Sequence, residues 1–271
     1  TSPDGQGHDT AWAMIASSLT GIDPDRFTLV WGDTDLTPVG GGTMGSRSLQ
    51  QGGLAVHQAA AGVVEQGRRI AAGLLEADEI DVVLDTDRGE FHVAGTPAVT
   101  ATWAQVAVAA GDEGLVEQTT FKAPGATYPF GAHVAVVEVD ADTGRVTHLR
   151  HIACDDAGVM VNPVLVDGQV HGGIAQGTAQ ALYEEVRYDS DGNPVTSNLA
   201  DYAMVSMDLM PQIERIPMET PTPVNPIGAK GIGESGTIGS TPAVHSAVID
   251  ALAHLGVRHI DMPCTPEKVW R

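Results

Sequence analysis

Glu234 is the residue on which chemistry would turn. It lies within residues 225–241, Asn-Pro-Ile-Gly-Ala-Lys-Gly-Ile-Gly-Glu-Ser-Gly-Thr-Ile-Gly-Ser-Thr, where glycine occupies 228, 231, 233, 236 and 239. Glycine reaches φ > 0 and lets the main chain come close to a ligand, at an entropic cost. The pattern that follows predicts a helix over about 241–254, with Ser240 or Thr241 as N-cap and Pro242 at its first position. Such a loop presents one carboxylate and several N–H groups at the mouth of a helix. The plainer reading of the same residues is a Gly-rich connector with a solvated glutamate.

Gly231, Gly233 and Gly236 also satisfy the G-x-G-x-x-G dinucleotide fingerprint, with Asp261 downstream where a ribose-binding acid would sit. That fingerprint should follow a strand. Here it follows Glu219-Thr-Pro-Thr-Pro-Val-Asn-Pro, and proline-rich stretches make poor central strands. Glu234 would also face a pyrophosphate with the wrong sign. An NAD-dependent dehydrogenase using Gly231-x-Gly233 is therefore the lesser reading. A phosphate P-loop fails, because Lys230 is followed by Gly231 and not by Ser or Thr.

Two more polar clusters precede helices. Gly5-Gln6-Gly7-His8 leads to a helix capped by Asp9 or Thr10, with Trp12, Ile15, Ala16 and Leu19 on one face. Residues 38–48, Pro-Val-Gly-Gly-Gly-Thr-Met-Gly-Ser-Arg-Ser, lead to a helix expected over 48–76, with Val56, Val63, Ile70 and Leu74 as its apolar stripe. Successive N–H groups and hydroxyls before a helix form an anion site, and Arg47 adds a bidentate donor. Each cluster taken alone is equally a capped turn.

The elements that must position these residues follow from periodicity. Residues 27–31 alternate as a strand, residues 80–84 and 90–93 as a short hairpin, and 102–110 as a helix. Residues 132–140 and 145–153 make a longer hairpin closed at Gly144. A helix over 163–183 is rich in small residues, with Gly168, Gly172, Gly173 and Gly177 suited to close packing against a neighbour. Gln176 sits among them, and by spacing alone it reads as a surface residue. Residues 189–194 form a turn, 213–218 and 259–262 short strands, and 266–270 a terminal helical turn. A soft boundary falls within the loose stretch 111–127.

Composition bounds the rest. The chain has 271 residues, 42% of them hydrophobic but only 4% aromatic, so Val, Ala, Leu and Ile fill the core. Lys+Arg number 14 against 35 Asp+Glu, a net charge of −21. Such a charge repels nucleic acid and anionic membrane. No apolar run approaches the ~20 residues of a membrane span. With 2 cysteines, Cys154 and Cys264, neither a disulfide scaffold nor a Cys-ligated iron–sulfur cluster is expected. The paired carboxylates of a glycosidase, a His-x-x-x-His zinc pair and a Gly-x-Ser-x-Gly elbow are absent.

Three separated stretches, taken together, are more specific than any one of them. Gly5-Gln6-Gly7-His8, Gly42-Thr43-Met44-Gly45-Ser46-Arg47-Ser48 and Lys230-Gly231-Ile232-Gly233-Glu234 occur in that order. The sequence closely resembles the molybdenum-cofactor-binding large subunit of the xanthine oxidase family, nearest its carbon monoxide dehydrogenase and aldehyde dehydrogenase branch. The likeness extends through Asn162-Pro163, Gln169-Val-His-Gly-Gly, Gln176-Gly177 and Arg258-His-Ile-Asp-Met-Pro. It covers the C-terminal part of such a subunit, and the chain reads as starting in mid-domain.

The resemblance implies an α+β fold, with mixed sheets and helices in two lobes around a buried molybdopterin. Residues 1–118 would form the first lobe and 119–271 the second, which carries the catalytic Glu234. Glu234 would be the general base that takes a proton from the attacking oxygen. Gly5, Gln6 and Gly7 would approach the cofactor near the metal. Thr43, Met44, Gly45, Ser46, Arg47 and Ser48 would hold the pterin and its phosphate or nucleotide tail. Gln176 would face the pterin, and Lys230 with Gly231 would line the site. No side chain would ligate molybdenum, which the pterin dithiolene holds. In bacterial members the cofactor is commonly molybdopterin cytosine dinucleotide.

The resemblance further implies a hydroxylase that oxidises carbon monoxide, an aldehyde or an aromatic N-heterocycle with oxygen from water. Electrons would leave to iron–sulfur clusters and FAD on partner subunits. The N-terminal half of the large subunit would be a further partner, without which the chain is inactive. The expected assembly is a dimer of heterotrimers or larger, in the cytoplasm. Neither cysteine lies in a copper-binding motif. A non-catalytic, cofactor-holding chain of such a complex is the alternative.

Overall fold

The computed structural model describes residues 1–37 and 40–271. The chain forms two compact units, one of residues 1–126 with 223–227, the other of residues 127–222 with 228–271.

In the first unit, helices α1 (His8–Thr20) and α2 (Leu54–Leu74) pack together, and α2 is entered through a π-helical turn at Leu49–Gly53. Strands β1 (Val82–Asp85), β2 (Glu90–Val93) and β3 (Thr96–Thr102) form an antiparallel sheet in that order, and α3 (Trp103–Ala110) follows. Thr102 caps α3 with a capping box: its hydroxyl accepts from Gln105 N–H while the Gln105 amide oxygen accepts from Thr102 N–H. The core gathers Ala71, Ala72, Val82, Phe91, Ala101 and Val106. Phe91 meets Trp103 edge-to-face, with centroids 4.8 Å apart. A side chain at Gly67 of α2 would strike both rings, at 2.8 Å, so this glycine lets the helix lie on the aromatic pair.

Two expectations need correction here. Residues 27–31 form no strand. Their alternation finds no neighbour to pair with, and Trp31 instead donates its indole N–H to Asp9 at 3.0 Å. Strand β3, in turn, was hidden by Pro97; it lies at the edge of the sheet, where a missing N–H is tolerated. The first helix begins at His8, one residue before its predicted caps. Gly7 is its N-cap in the left-handed region, φ 76°.

In the second unit, β4 (Gly131–Val139) pairs antiparallel with β5 (Val146–Asp156), and β5 pairs parallel with β6 (Ile213–Met218). The crossover between β5 and β6 contains α4 (Pro163–Leu182). Asn162 caps α4 by accepting from Leu165 N–H at 3.1 Å, and Pro163 takes the first helical position. Helix α5 (Ser235–Leu252) packs along α4 and over β4 and β5. Val146, Ala181, Leu182, Val244, Val248, Leu252 and Cys264 form the main core, with a second cluster of Ala153, Val170 and Ile174. The terminal helix α6 (Pro266–Trp270) is capped by Thr265.

Helix α5 starts at Ser235, well before the predicted cap, so Ser240 and Thr241 lie inside it and so does Pro242. Packing against α4 explains this. A Cβ on Gly236 would sit 2.5 Å from the Val170 carbonyl oxygen, and one on Gly177 only 1.9 Å from Ser240 Oγ. Gly236 of the predicted loop, with Gly177 of α4, thus serves a tight helix–helix seam. Residues 259–262 do not form a strand. His245 of α5 shares a proton with the Ile260 carbonyl at 2.8 Å, so that carbonyl is satisfied without a ladder. Among the described residues, no helix is long and apolar enough to cross a membrane.

Candidate functional site

In the first unit two of the sequence motifs are joined. Ser2 forms a parallel bridge with Gly42. The Thr43 hydroxyl donates to the Ser2 carbonyl at 2.7 Å, and the Ser48 hydroxyl donates to Thr43 Oγ1 at 3.1 Å. The Gly5-Gln6-Gly7 turn and the 43–48 loop are thereby held on neighbouring backbone. Gly5 and Gly7 take φ of 101° and 76°, and the Gln6 amide oxygen accepts from Asp4 N–H at 2.5 Å. His8 is buried, stacked on Trp12 with centroids 4.6 Å apart, and its Nδ1 has no partner. Burial lowers its pKa.

Gly45 and Ser46 adopt successive left-handed conformations, φ 62° and 51°. For a serine this backbone is uncommon, and it belongs to strained or ligand-facing loops. Met44, Gly45 and Arg47 are exposed. A Cβ at Gly40, Gly41 or Gly45 would meet nothing, so packing does not require these glycines. Residues 40–53 contain Arg47 and no carboxylate, in a chain of net charge −21. Hydroxyls, backbone N–H groups and one guanidinium ahead of a helix suit a phosphate-bearing group, so the donor set fits a pterin phosphate or its nucleotide. Pro38 and Val39, the start of the predicted loop, lie outside the described residues.

In the second unit the Glu234 segment is anchored from behind. Gly158 bridges Ala229, Lys230 N–H donates to the Ala157 carbonyl at 2.8 Å, and the Gly228 carbonyl accepts from both Val159 and Thr222 at 3.0 Å. A Cβ on Gly158 would fall 2.3 Å from that Gly228 carbonyl, which fixes glycine there. Lys230 is buried. Its ammonium lies 3.2 Å from Asp156 Oδ1 and 5.0 Å over the Phe130 ring. Burial of Asp156 works against its charge, but hydrogen bonds from Thr220, Gly158 and Lys230 outweigh it and hold the carboxyl below its ordinary value. Gly231 is buried, while Gly233 and Glu234 are exposed. Glu234 is the N-cap residue of α5, and its carbonyl accepts from Ile238 N–H at 3.1 Å. A carboxylate is electrostatically favoured at that end of a helix. Gln176 lies exposed on α4, beside the buried Gly177.

Asp156 and Phe130, which fix Lys230, were not legible in the sequence. Asp156 reads there as part of a polar turn, and nothing in its spacing points to a lysine so far along the chain. Among the described residues there is no group of three or more His, Cys, Asp or Glu that would hold a metal ion. The dinucleotide reading fails on context, since β6 ends at Met218 and no strand runs into Gly231.

In the first unit, the donor-rich, acid-free turn before a helix has the chemistry that suits an anionic group. The chain belongs to the molybdopterin cofactor-binding domain family, whose model matches residues 1–211, and to the xanthine oxidase type of molybdenum enzyme. It is 38% identical over its whole length to the carbon monoxide dehydrogenase large chain of Hydrogenophaga pseudoflava, 34% of which is covered. The solved carbon monoxide dehydrogenase from Oligotropha carboxidovorans superposes with a TM-score of 0.93 at 38% identity, over 100% of this chain and 34% of that one. Quinoline 2-oxidoreductase from Pseudomonas putida 86 superposes with a TM-score of 0.91 at 38% identity, over 100% and 35%. The chain therefore spans about a third of the length of these relatives.

Proposed function

We propose that this chain is the cofactor-holding, base-bearing part of a molybdenum hydroxylase large subunit. The observation that carries the reading is Glu234, exposed at the head of α5 on a loop whose preceding residues are hydrogen-bonded to the 157–159 turn. The molybdopterin, as its cytosine dinucleotide, supplies the two-electron redox chemistry when bound. The N–H groups and hydroxyls of residues 43–48, with Arg47, hold its phosphates. Gly5, Gln6 and Gly7 approach it at the pterin end, and Gln176 and Gly231 line the same cofactor. Glu234 takes a proton from the attacking oxygen and orients it toward an electron-poor carbon. Lys230, already engaged by Asp156, keeps the loop rigid beneath Glu234.

The substrate is a small molecule with an oxidisable carbon: carbon monoxide, an aldehyde or an aromatic N-heterocycle. Electrons pass to iron–sulfur and FAD subunits, and the rest of the large chain completes the pocket. The assembly is a cytoplasmic dimer of such heterotrimers. Glu234→Gln in the complete complex tests the base. Molybdenum and pterin content should match the wild type while turnover falls by about 100-fold or more, the scale of a lost general base. Near-normal turnover would remove Glu234 from that role.

A further inference from the structure

A row of buried imidazoles runs through the second unit, with one end at Asp155, next in the chain to the Asp156 that holds Lys230. His133 Nε2 lies 3.1 Å and 3.2 Å from the two Asp155 oxygens. His133 Nδ1 is 3.0 Å from His151 Nε2, His151 Nδ1 is 3.3 Å from His148 Nε2, and His148 Nδ1 is 3.4 Å from Thr178 Oγ1. Adjacent rings meet edge-on, with centroids 5.2 Å apart at both steps. His151 is fully buried, and His148 and Asp155 are 4% exposed. The far end is not sealed, because His148 lines a cavity of about 370 Å³ together with Arg145, Tyr183, Asp208 and Cys264.

The order of donors follows from the chemistry of the ends. A carboxylate only accepts, and a neutral imidazole has one donor and one acceptor nitrogen. His133 must therefore donate from Nε2 to Asp155 and accept at Nδ1. His151 then donates from Nε2 and accepts at Nδ1, and so does His148, with the Thr178 hydroxyl donating last. Every ring then takes the same Nε2–H tautomer, and the His148 ring also meets the Arg150 backbone, a contact that opposes the effect of burial on it. Burial holds His148 and His151 at about 4, so both rings are neutral near pH 7.

We propose that this row is a proton-conducting relay between the cavity beside His148 and the Asp155 carboxylate. His148 Nδ1 takes a proton from hydronium or a buffer acid in the cavity, and the Thr178 hydroxyl turns from donor to acceptor. The Nε2 proton of His148 moves to His151 Nδ1, and that of His151 moves to His133 Nδ1. His133 ends as an imidazolium against the Asp155 carboxylate. Only N–H bonds form and break, and the charge gained at the inner end is that of the single proton taken up. The row carries one proton at a time, since a second would set N–H against N–H. Among the described residues, β4 offers His133 to the row, β5 offers His148, His151 and Asp155, α4 offers Thr178, and α5 presents the backbone of Gly239. The titratable residues Arg145, Tyr183, Asp208 and Cys264 line the cavity at the outer end.

Histidine-selective 15N NMR on the full chain tests this. At pH 7 His148 and His151 should both show the Nε2–H tautomer. On acidification His148 and His151 should keep that signature until about pH 4. His151→Phe should slow exchange of the His133 ring N–H with water by roughly tenfold or more, with the fold intact by circular dichroism. If that variant does not fold, His148→Phe, which removes the entry ring, decides by the same readout. An Nδ1–H tautomer on His148 or His151, or unchanged His133 exchange in a folded variant, would overturn the relay.

Discussion

Lys230 is proposed to line the site, and the fold gives it a structural role as well. In the sequence it is a cation beside a catalytic loop. In the fold its ammonium is committed to Asp156 and the Phe130 ring. Removing one member of a buried pair leaves the other charged and unpaired, which costs about 3–5 kcal/mol. Lys230→Met should therefore lower unfolding free energy by that order in urea titrations. Lys230→Met with Asp156→Asn should recover part of the loss. A neutral Lys230→Met would mean that solvent reaches Asp156. Glu234 was not decided by its neighbours, since a lone carboxylate among glycines also suits a plain connector; the three motifs in order, and the family they resemble, single it out. Its interaction with a helix start was expected too, but the helix turned out to begin at the next residue and not several residues on.

At the level of elements, the strong periodicities were readable and the context-dependent ones were not. The long hairpin β4–β5 and the helix α4 follow from alternation and from the Asn162-Pro163 cap. The parallel placement of β6 against β5 could not be read, since pairing depends on a crossover and not on the strand's own residues. Glycine was the main source of error in α5. Gly236 and Gly239 look like loop residues, yet both lie inside the helix, Gly236 against α4 and Gly239 against the His133 ring of β4. Gly236→Ala would press a Cβ to 2.5 Å from the Val170 carbonyl. Overpacking of this kind costs about 1–3 kcal/mol and should appear as a lower melting temperature. Gly168→Ala, on the open side of α4, should instead raise stability by roughly 0.5–1 kcal/mol. Equal effects of the two substitutions would contradict the seam.

The same unit carries its own acid sensitivity. The folded His148 and His151 titrate at about 4 because burial disfavours their charge, below the ordinary value of 6.5. Between those limits the unfolded chain binds more protons than the folded one. Stability contributed by these rings is thus complete above about pH 6.5, falls as pH drops toward 4, and levels off below it. Chemical denaturation at intervals across that window should show the decline. His148→Leu with His151→Leu should flatten it.

For the molecule as a whole, charge and family were the legible properties. A net charge of −21 predicts retention on an anion exchanger at pH 7 and no shift of duplex DNA in a gel at any salt. A DNA complex at low salt would contradict that. The division into two units, each with its own apolar core, matched no single composition break, because both units draw on the same Val, Ala and Leu. What the fold adds to the family likeness is a reason for a particular glycine, such as Gly158, where a Cβ would fall 2.3 Å from the Gly228 carbonyl.

The link between Ser2 and the Gly42-Thr43 turn ties two Gly-rich segments of the first unit into one piece. The Thr43 hydroxyl donates to the Ser2 carbonyl, and the Ser48 hydroxyl donates to Thr43 Oγ1. Thr43→Val removes the shared member, so amide exchange should quicken over residues 1–7 as well as over 42–48.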